Sequence, residues 1–284
     1  MSSTIYQQRI NTVLDYIEEH LDSKLTLQTL SNAGCLSKYH FHRVFKAITG
    51  ETVHDYIKRT KMEKVSRALA LHHTKSLTDI AFDMGYNSSA NFSRDVSLYF
   101  DKSPSQIRSE MKPHSVSIHD EIKSSISFKG VEKLNNKRIL YTRIHNGYKA
   151  DIIRETFASL CAWAMDYFKS RIGEQLIGIG YDDPDFTPLH KCRYDACIVI
   201  SNDLDIGNIA PYNVKNIKGG TYAVFLFEGR GEDIYKAWEV IFKEWVIHSD
   251  YFPDNRPHLE IYLPSPQWKE NMYRVELCLP VIHT

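Results

Sequence analysis

A short helix, a turn and a longer helix can be read twice in this chain, about fifty residues apart. The longer helices are SKYHFHRVFKAI, residues 37–48, and SSANFSRDVSLYF, residues 88–100. Superposing Arg43 on Arg94 also superposes Phe41 on Phe92, Ser37 on Ser88 and Phe45 on Val96. An internal repeat of this kind constrains the fold more than composition does, because each copy has to bury the same stripe in the same way. It predicts an all-α N-terminal domain with two related helical units.

Ile10, Val13, Leu14, Ile17 and Leu21 recur at helical spacing and open the chain with an amphipathic helix. Thr26 begins a short helix that ends near Gly34, and Ser37 is an N-cap for the next one. Along that helix Phe41, Val44, Phe45 and Ile48 form the inward stripe, and Tyr39, His42, Arg43 and Lys46 lie opposite. A polar, cation-rich face near a helix start suits the major groove, where Arg43 can fork onto guanine and His42 and Tyr39 can reach base edges. Taken alone, the same face equally fits a solvated helix surface.

The second copy changes that balance. Ser76 and Asp79 form a capping box for a helix carrying Ile80, Ala81 and Met84, with Gly85 at the turn. Ser88 caps a helix with Phe92, Val96 and Tyr99 inward and Ala90, Ser93, Arg94 and Ser97 outward. Two outward faces with Arg at the equivalent position point to a shared use. Residues 53–71 lack Gly and Pro and read as one helix of about 28 Å, close to the ~34 Å between successive major grooves on one side of a duplex. A monomer could place both units on an asymmetric site.

Charge supports this reading only by position. The 35 basic and 35 acidic residues cancel, with +3 over residues 1–112 and −3 over 113–284. Lys58, Arg59, Lys61, Lys64 and Arg67 crowd into one stretch, and Lys38, Arg43 and Lys46 into another. Five cysteines, an odd number without Cys-x-x-Cys spacing, argue against a disulfide framework or a zinc site. The N-terminal twenty residues lack the apolar core of a signal peptide, and no later run approaches ~20 apolar residues. The expectation is a cytoplasmic protein with no membrane partner, no metal and no cofactor.

Residues 25–108 resemble the DNA-binding domain of the AraC/XylS transcription activators, within them the monomeric MarA/SoxS/Rob group. The resemblance rests on SKYHFHRVFK, the connection 50–56, IAFDMGY from Ile80, FSR from Phe92 and SPSQIR from Ser103. It implies two helix-turn-helix motifs joined by a long helix, with base contacts from Tyr39, His42 and Arg43 and from Ser89, Ala90 and Arg94. Lys38, Lys46 and Ser93 complete the expected DNA-facing set. Cys35 stands where the first turn often has Gly, so that turn is expected to differ locally. Ala90 offers at most a contact with a thymine methyl, so the first copy should specify and the second should position on phosphates.

Lys112, Pro113, His114 and Ser115 break the helical pattern, and alternation follows over residues 116–128. This places a domain boundary between 1–112 and 113–284. Beyond it RILYTRIHNG, a helix over 152–172, LIGIGY and YDACIVI give strand, helix, strand, strand. TYAVFLFEG, a helix over 234–246, HLEIYLP and YRVELCLPV repeat that order, which predicts an α+β domain of duplicated units. Superposing Tyr262 on Tyr181 sets Glu260 on Ile179, leaving a carboxylate mid-strand on the face of His258 and Tyr262. Such a group is exposed, paired, protonated or awaiting a cation.

GGTYAVFLFEGRG from Gly219, HLEIYLP from His258 and YRVELCLPV from Tyr273 resemble the GyrI-like effector-binding domain, a partner of AraC-type readers in Rob-like regulators. That resemblance implies that Glu260 lies in an aromatic-lined pocket for bulky or cationic molecules. Tyr262 is the first further candidate, followed by Tyr181, Tyr222, Phe225, Phe227, Trp163, Trp238 and Trp245. Together the two domains predict a transcription regulator, read as an activator engaging RNA polymerase, tuned by a small-molecule effector. The alternative is a hydrolase with Glu260 as general base. No Ser-His-Asp, Cys-His or metal spacing supports that alternative independently, and His190 near Cys192 reads as surface chemistry.

Overall fold

The computed structural model describes residues 2–71, 75–110, 120–145, 147–169, 172–184, 187–207, 209–254, 256–264 and 271–283. Two compact units result: Met1–His114 with Asp182–Thr187, and Ser115–Tyr181 with Pro188–Thr284. The boundary expected near residue 112 lies outside the described residues. No helix among the described residues is long and apolar enough to cross a membrane.

The first unit is helical: α1 (Ser2–Glu19), α2 (Leu27–Ala33), α3 (Lys38–Thr49), α4 (Val53–Leu71), α5 (Leu77–Asp83), α6 (Ser89–Phe100) and α7 (Pro104–Glu110). Its starts are set by side-chain caps. Thr26, Ser37, Ser76 and Ser88 each accept the backbone N–H three residues on, satisfying donors that the helix leaves open. Gly50 ends α3 in the left-handed region at φ 77°, its N–H returning to the Lys46 carbonyl.

Two hydrophobic clusters hold the unit. One gathers Ile10, Val13, Leu14 and Ile17 of α1 with Leu30, Phe41, Phe45, Val53 and Tyr56. The other gathers Met62, Val65 and Leu69 with Ile80, Phe92, Val96 and Ile107. Each fully buried Phe contributes about 1.5–3 kcal/mol over an exposed one. Helix α4 feeds both clusters from its two ends, so the spacing between them is fixed by one continuous helix.

The basic stretch on α4 has a different role from the one its sequence suggests. Arg59 is buried and donates from Nη2 to Glu51 Oε1 at 2.7 Å. Lys64 pairs with Glu18 at 3.3 Å and Arg67 with Glu63 at 3.4 Å. Lys61 lies 4.2 Å from the centroid of the Tyr86 ring, where burial lowers its pKa. Most of these cations tie α4 to its neighbours, and periodicity could not show which face they occupy.

The turns after α2 and α5 are closed identically. Cys35 and Leu36 donate to the carbonyls of Asn32 and Ser31, and Gly85 and Tyr86 donate to those of Phe82 and Ala81. Cys35 takes φ 50° where Gly85 takes 72°. The first turn therefore does not adopt another path for want of glycine, although a left-handed non-glycine residue costs roughly 1–2 kcal/mol. The Arg9 guanidinium donates to the Cys35 carbonyl at 3.0 Å and helps hold it. The turns differ instead in length: Asn87 is one extra residue before Ser88.

The second unit contains α8 (Asp120–Ser124), β1 (Ile126–Leu134), β2 (Lys137–Ile144), α9 (Ala150–Phe168), β3 (Ile172–Gly180), β4 (Tyr194–Ile200), β5 (Asn213–Ile217), β6 (Gly220–Arg230), α10 (Ile234–Val240), β7 (Tyr251–Pro253), β8 (His258–Leu263) and β9 (Met272–His283). Of the alternation expected over 116–128, residues 116–119 lie outside the described residues, 120–124 are helical and 126–128 lie in a strand. Helix α9 spans 150–168, not 152–172, because Ile172 already belongs to β3. Past Val240 the predicted single helix widens into a π turn, Ile241–Val246.

The strands form an antiparallel sheet in the order β1-β6-β9-β8-β3-β4-β2-β5, with β7 on β9. One face packs a core of Ile139, Tyr141, Ile177, Ile179, Cys197, Tyr222, Val224, Leu259, Ile261 and Cys278. Strands distant in the order, β2 and β6, meet in that core, so the sheet curves round it. The other face carries α9 and α10. Register corrects the superposition made from sequence: Glu260 pairs with Gly178, and Ile179 with Leu259. A slip of one residue changes the face of every side chain, which is why Ile179 and Tyr181 point away from Glu260.

Candidate functional sites

Glu260 lies on the helix-bearing face at the junction of β8 and β3, only 6 % exposed. Tyr194 of β4 donates to its Oε2 at 2.7 Å, Tyr262 to the same oxygen at 3.1 Å, and the indole N–H of Trp238 on α10 to Oε1 at 3.2 Å. Phe157 of α9 meets Tyr262 and Tyr194 edge-on, at 5.2 and 6.5 Å between centroids. No cation pairs with Glu260 among the described residues. Burial raises its pKa, and the bonds from Tyr194, Trp238 and Tyr262 pull the other way. The phenols of Tyr194 and Tyr262 are pushed well up, first by burial and then by the carboxylate.

Magnitudes show what this arrangement favours. Removing a carboxylate from water costs several kcal/mol even after relaxation, and each hydrogen bond to a charged group returns about 1.5–3 kcal/mol. Three neutral donors therefore roughly offset burial but leave the negative charge uncompensated. A cation beside Glu260 would gain both that charge and the faces of the surrounding rings.

The other predicted wall residues separate. Tyr262 and Trp238 are at Glu260. Phe225 is on the same face but packs with Phe128 and Trp245, at 5.1 and 5.2 Å. Phe227 is buried on that face too. Trp163 stacks on Tyr167 at 4.7 Å and against Tyr212, near the C-terminal end of α9. Tyr222 and Tyr181 belong to the opposite face: Tyr222 sits in the core with Leu259 and Ile261, and Tyr181 packs on that core and donates to Asp195 at 2.7 Å. Sequence reasoning missed Tyr194 and Gly178. A glycine paired directly with Glu260 was the available sign, but the wrong register concealed it.

A second buried polar group lies on that opposite face. Asp195 accepts from Arg143 Nε at 2.6 Å and Nη2 at 2.7 Å, and Lys215 Nζ is 2.5 Å away. Burial alone would raise the Asp195 pKa, and Arg143 and Lys215 more than reverse this, holding the carboxyl well below its usual range. Asp195 thus has counter-ions where Glu260 has none among the described residues.

In the helical unit, Lys38, Tyr39, His42, Arg43 and Lys46 are all exposed on α3, and Tyr39 reaches 76 %. The Arg43 guanidinium stands 5.9 Å over the Tyr39 ring. His42, Arg43 and Lys46, with Ala47 and Thr52, line a groove of ≈ 470 Å³. Thr52 was not anticipated; it caps α4 by accepting the Asp55 N–H at 3.2 Å. On α6, Ser89, Ala90 and Arg94 are exposed and Ser93 is half-buried. Arg94 donates to Asn91 at 3.1 Å.

An exposed cationic helix face in one unit and, in the other, a buried carboxylate with no paired cation among the described residues fit a DNA-binding regulator with a small-molecule-binding domain. Comparison with known proteins agrees. Residues 30–110 match a helix-turn-helix domain and residues 131–282, over half the chain, the GyrI-like small molecule binding domain. The chain belongs to the GyrI-like family and, through its helical unit, to the AraC-type regulators that include SoxS and MarA. It is 34% identical over 104 residues to the regulatory protein SoxS of Salmonella typhimurium, covering 36% of this chain and 95% of that one. It is 32% identical over 99 residues to the multiple antibiotic resistance protein MarA of the same organism, covering 35% and 77%. A solved structure, the EcmrR C-terminal domain, aligns with a TM-score of 0.44 at 12% identity over 55% of this chain and 99% of that one.

Proposed function

We propose that the chain is a transcription activator that grips asymmetric duplex DNA with the exposed faces of α3 and α6, each the second helix of a helix-turn-helix motif, and binds an amphipathic organic cation at Glu260. The observation that carries the ligand reading is the buried carboxylate held by three neutral donors and, among the described residues, by no cation. On the DNA side the support is the clustering of His42, Arg43 and Lys46 on one groove. The protein would bind DNA as a monomer and engage RNA polymerase there. The hydrolase reading gains nothing from SoxS and MarA, whose names are those of regulatory and resistance proteins.

The test combines two measurements on the full chain. Intrinsic tryptophan fluorescence of the chain and of its Trp238→Phe variant is titrated with hexadecyltrimethylammonium below its micellar concentration and with a matched alkyl sulfate, and promoter-fragment affinity is then measured with and without the cation. Saturable quenching by the cation alone, with a change in DNA affinity, is the expected result. Equal response to both detergents overturns the Glu260 reading.

A further inference from the structure

Three oxygens meet at Glu260 in a closed triangle. Oε2 lies 2.7 Å from the Tyr194 hydroxyl and 3.1 Å from that of Tyr262, and the two hydroxyls lie 3.1 Å from each other. Oε1 stands outside the triangle and accepts the Trp238 N–H at 3.2 Å. Each phenol brings one proton and a carboxylate brings none. With Glu260 ionised, both phenols donate to Oε2, and the contact between them joins two oxygens with no hydrogen to share. With Glu260 protonated, every side of the triangle has its own proton. Tyr194 then donates to Oε2, Oε2 to Tyr262 and Tyr262 to Tyr194, while Oε1 remains the carbonyl that accepts from Trp238.

The spacing fits the second arrangement. Donors on the two separate lone pairs of one carboxylate oxygen would stand roughly 5 Å apart. Here they stand 3.1 Å apart. Around the triangle β3 contributes Gly178, β9 Leu277, α9 Phe157 and α10 Trp238, none of which carries a charge to replace the third proton. The other titratable groups on this side are His258, with its ring 4.6 Å from that of Trp238, Tyr148, 6.1 Å from Tyr194, Tyr273, 5.9 Å from Tyr262, and Cys161, one turn beyond Phe157 on α9. None of them bonds the carboxyl. Burial, which raises the pKa of Glu260, acts in the same direction as the geometry.

We propose that Glu260 holds a proton in the ligand-free protein at neutral pH and exchanges it for the cation. The incoming charge displaces the Oε2 proton to solvent, Tyr262 turns its O–H from Tyr194 to Oε2, and the site carries no net charge before or after. The inference rests on the reading of Glu260 as the cation site and adds its regulation: proton and effector compete, so effector affinity rises with pH.

The test is calorimetry on the full chain with benzyltrimethylammonium, a cation with no proton to lose, in buffers of differing ionisation enthalpy. About one proton should be released per cation bound, and affinity should rise about tenfold per pH unit while the free site is protonated. His258→Leu should release the same proton, which excludes the imidazole as its source. Infrared spectra of the ligand-free chain should show a carboxylic-acid C=O band that Glu260→Gln removes and that added cation diminishes. Cation binding without proton release, or with a release that His258→Leu abolishes, overturns the exchange and leaves the cation site standing, as does an acid band unaltered in Glu260→Gln. If the cation does not bind, the reading of Glu260 as a cation site falls and the exchange falls with it.

Discussion

The Tyr194 hydroxyl reaches Glu260 Oε2 at 2.7 Å by passing directly over Gly178. Tyr194 is on β4 and Glu260 on β8, and β3 runs between them. The bond exists because the intervening residue has no side chain.

Gly178→Ala should therefore act on the site before it acts on the fold. Its Cβ would displace the Tyr194 phenol, and overpacking of this kind costs about 1–3 kcal/mol. Urea denaturation should show that loss, and cation titration should show weakened binding as Glu260 loses its shortest donor.

For Glu260→Gln the signs are opposite in stability and in binding. Burial raises the folded pKa of this carboxyl, so the folded state binds more protons than the unfolded chain, and stability falls as pH rises from the unfolded value through the folded one. Above that window the ionised group is a standing cost. The variant should have an unchanged or higher Tm at pH 8, a smaller difference at pH 4, and no measurable affinity for cations; a Tm lowered equally at both pH values would contradict this.

Asp195 behaves in the reverse sense. Its lowered folded pKa gives stability that is full above the unfolded carboxyl value and is lost as pH falls through the folded one. Asp195→Asn leaves Arg143 buried beside a neutral group, and breaking such a pair costs about 3–5 kcal/mol. Chemical denaturation at neutral pH should show it, with the difference narrowing in acid.

Two glycines in the helical unit separate backbone strain from crowding. Gly50 and Gly85 have φ 77° and 72°, but a Cβ on Gly50 meets nothing within 4 Å, whereas on Gly85 it would stand 2.1 Å from the Asp22 carbonyl. Gly50→Ala should cost about 1–2 kcal/mol. Gly85→Ala should cost clearly more, and equal losses in thermal denaturation would show that the turn relaxes.

On DNA, Arg43→Ala should relax base preference and cost about 1–3 kcal/mol, as expected for loss of a bidentate base contact. Arg94→Ala should weaken binding more evenly across sequences and lower the salt dependence. Electrophoretic shifts on a randomised pool would distinguish the two, and identical selection profiles for both variants would refute the division of labour.

Helix positions in the first unit were legible because caps and stripes are local: Ser37, Ser76 and Ser88 start helices where their spacing predicts. The inward or outward sense of α4's cations was not, since Arg59 and Lys64 are assigned by partners on other segments, Glu51 before the helix and Glu18 on α1. In the second unit the order of elements was readable, but register was not. Alternation is two-fold, so an error of one residue is undetectable locally and exchanges the two faces. That error set Tyr181 on the face of Glu260, and without a register nothing separated Tyr222 from Phe225 or singled out Tyr194. Glu260 stands out in either register, because a carboxylate within an apolar strand is conspicuous.

The junction of β3 and β8 has one more consequence. Gly178 and Tyr194 come from the run β2, α9, β3, β4, while Glu260, Tyr262 and Trp238 come from β6, α10, β8, β9. Neither stretch owns the site. A fragment ending anywhere between Ile200 and His258 would hold a tyrosine with nothing to bond, and one beginning there a carboxylate with too few donors, so this half of the chain is indivisible in function however clearly its pattern can be cut in two.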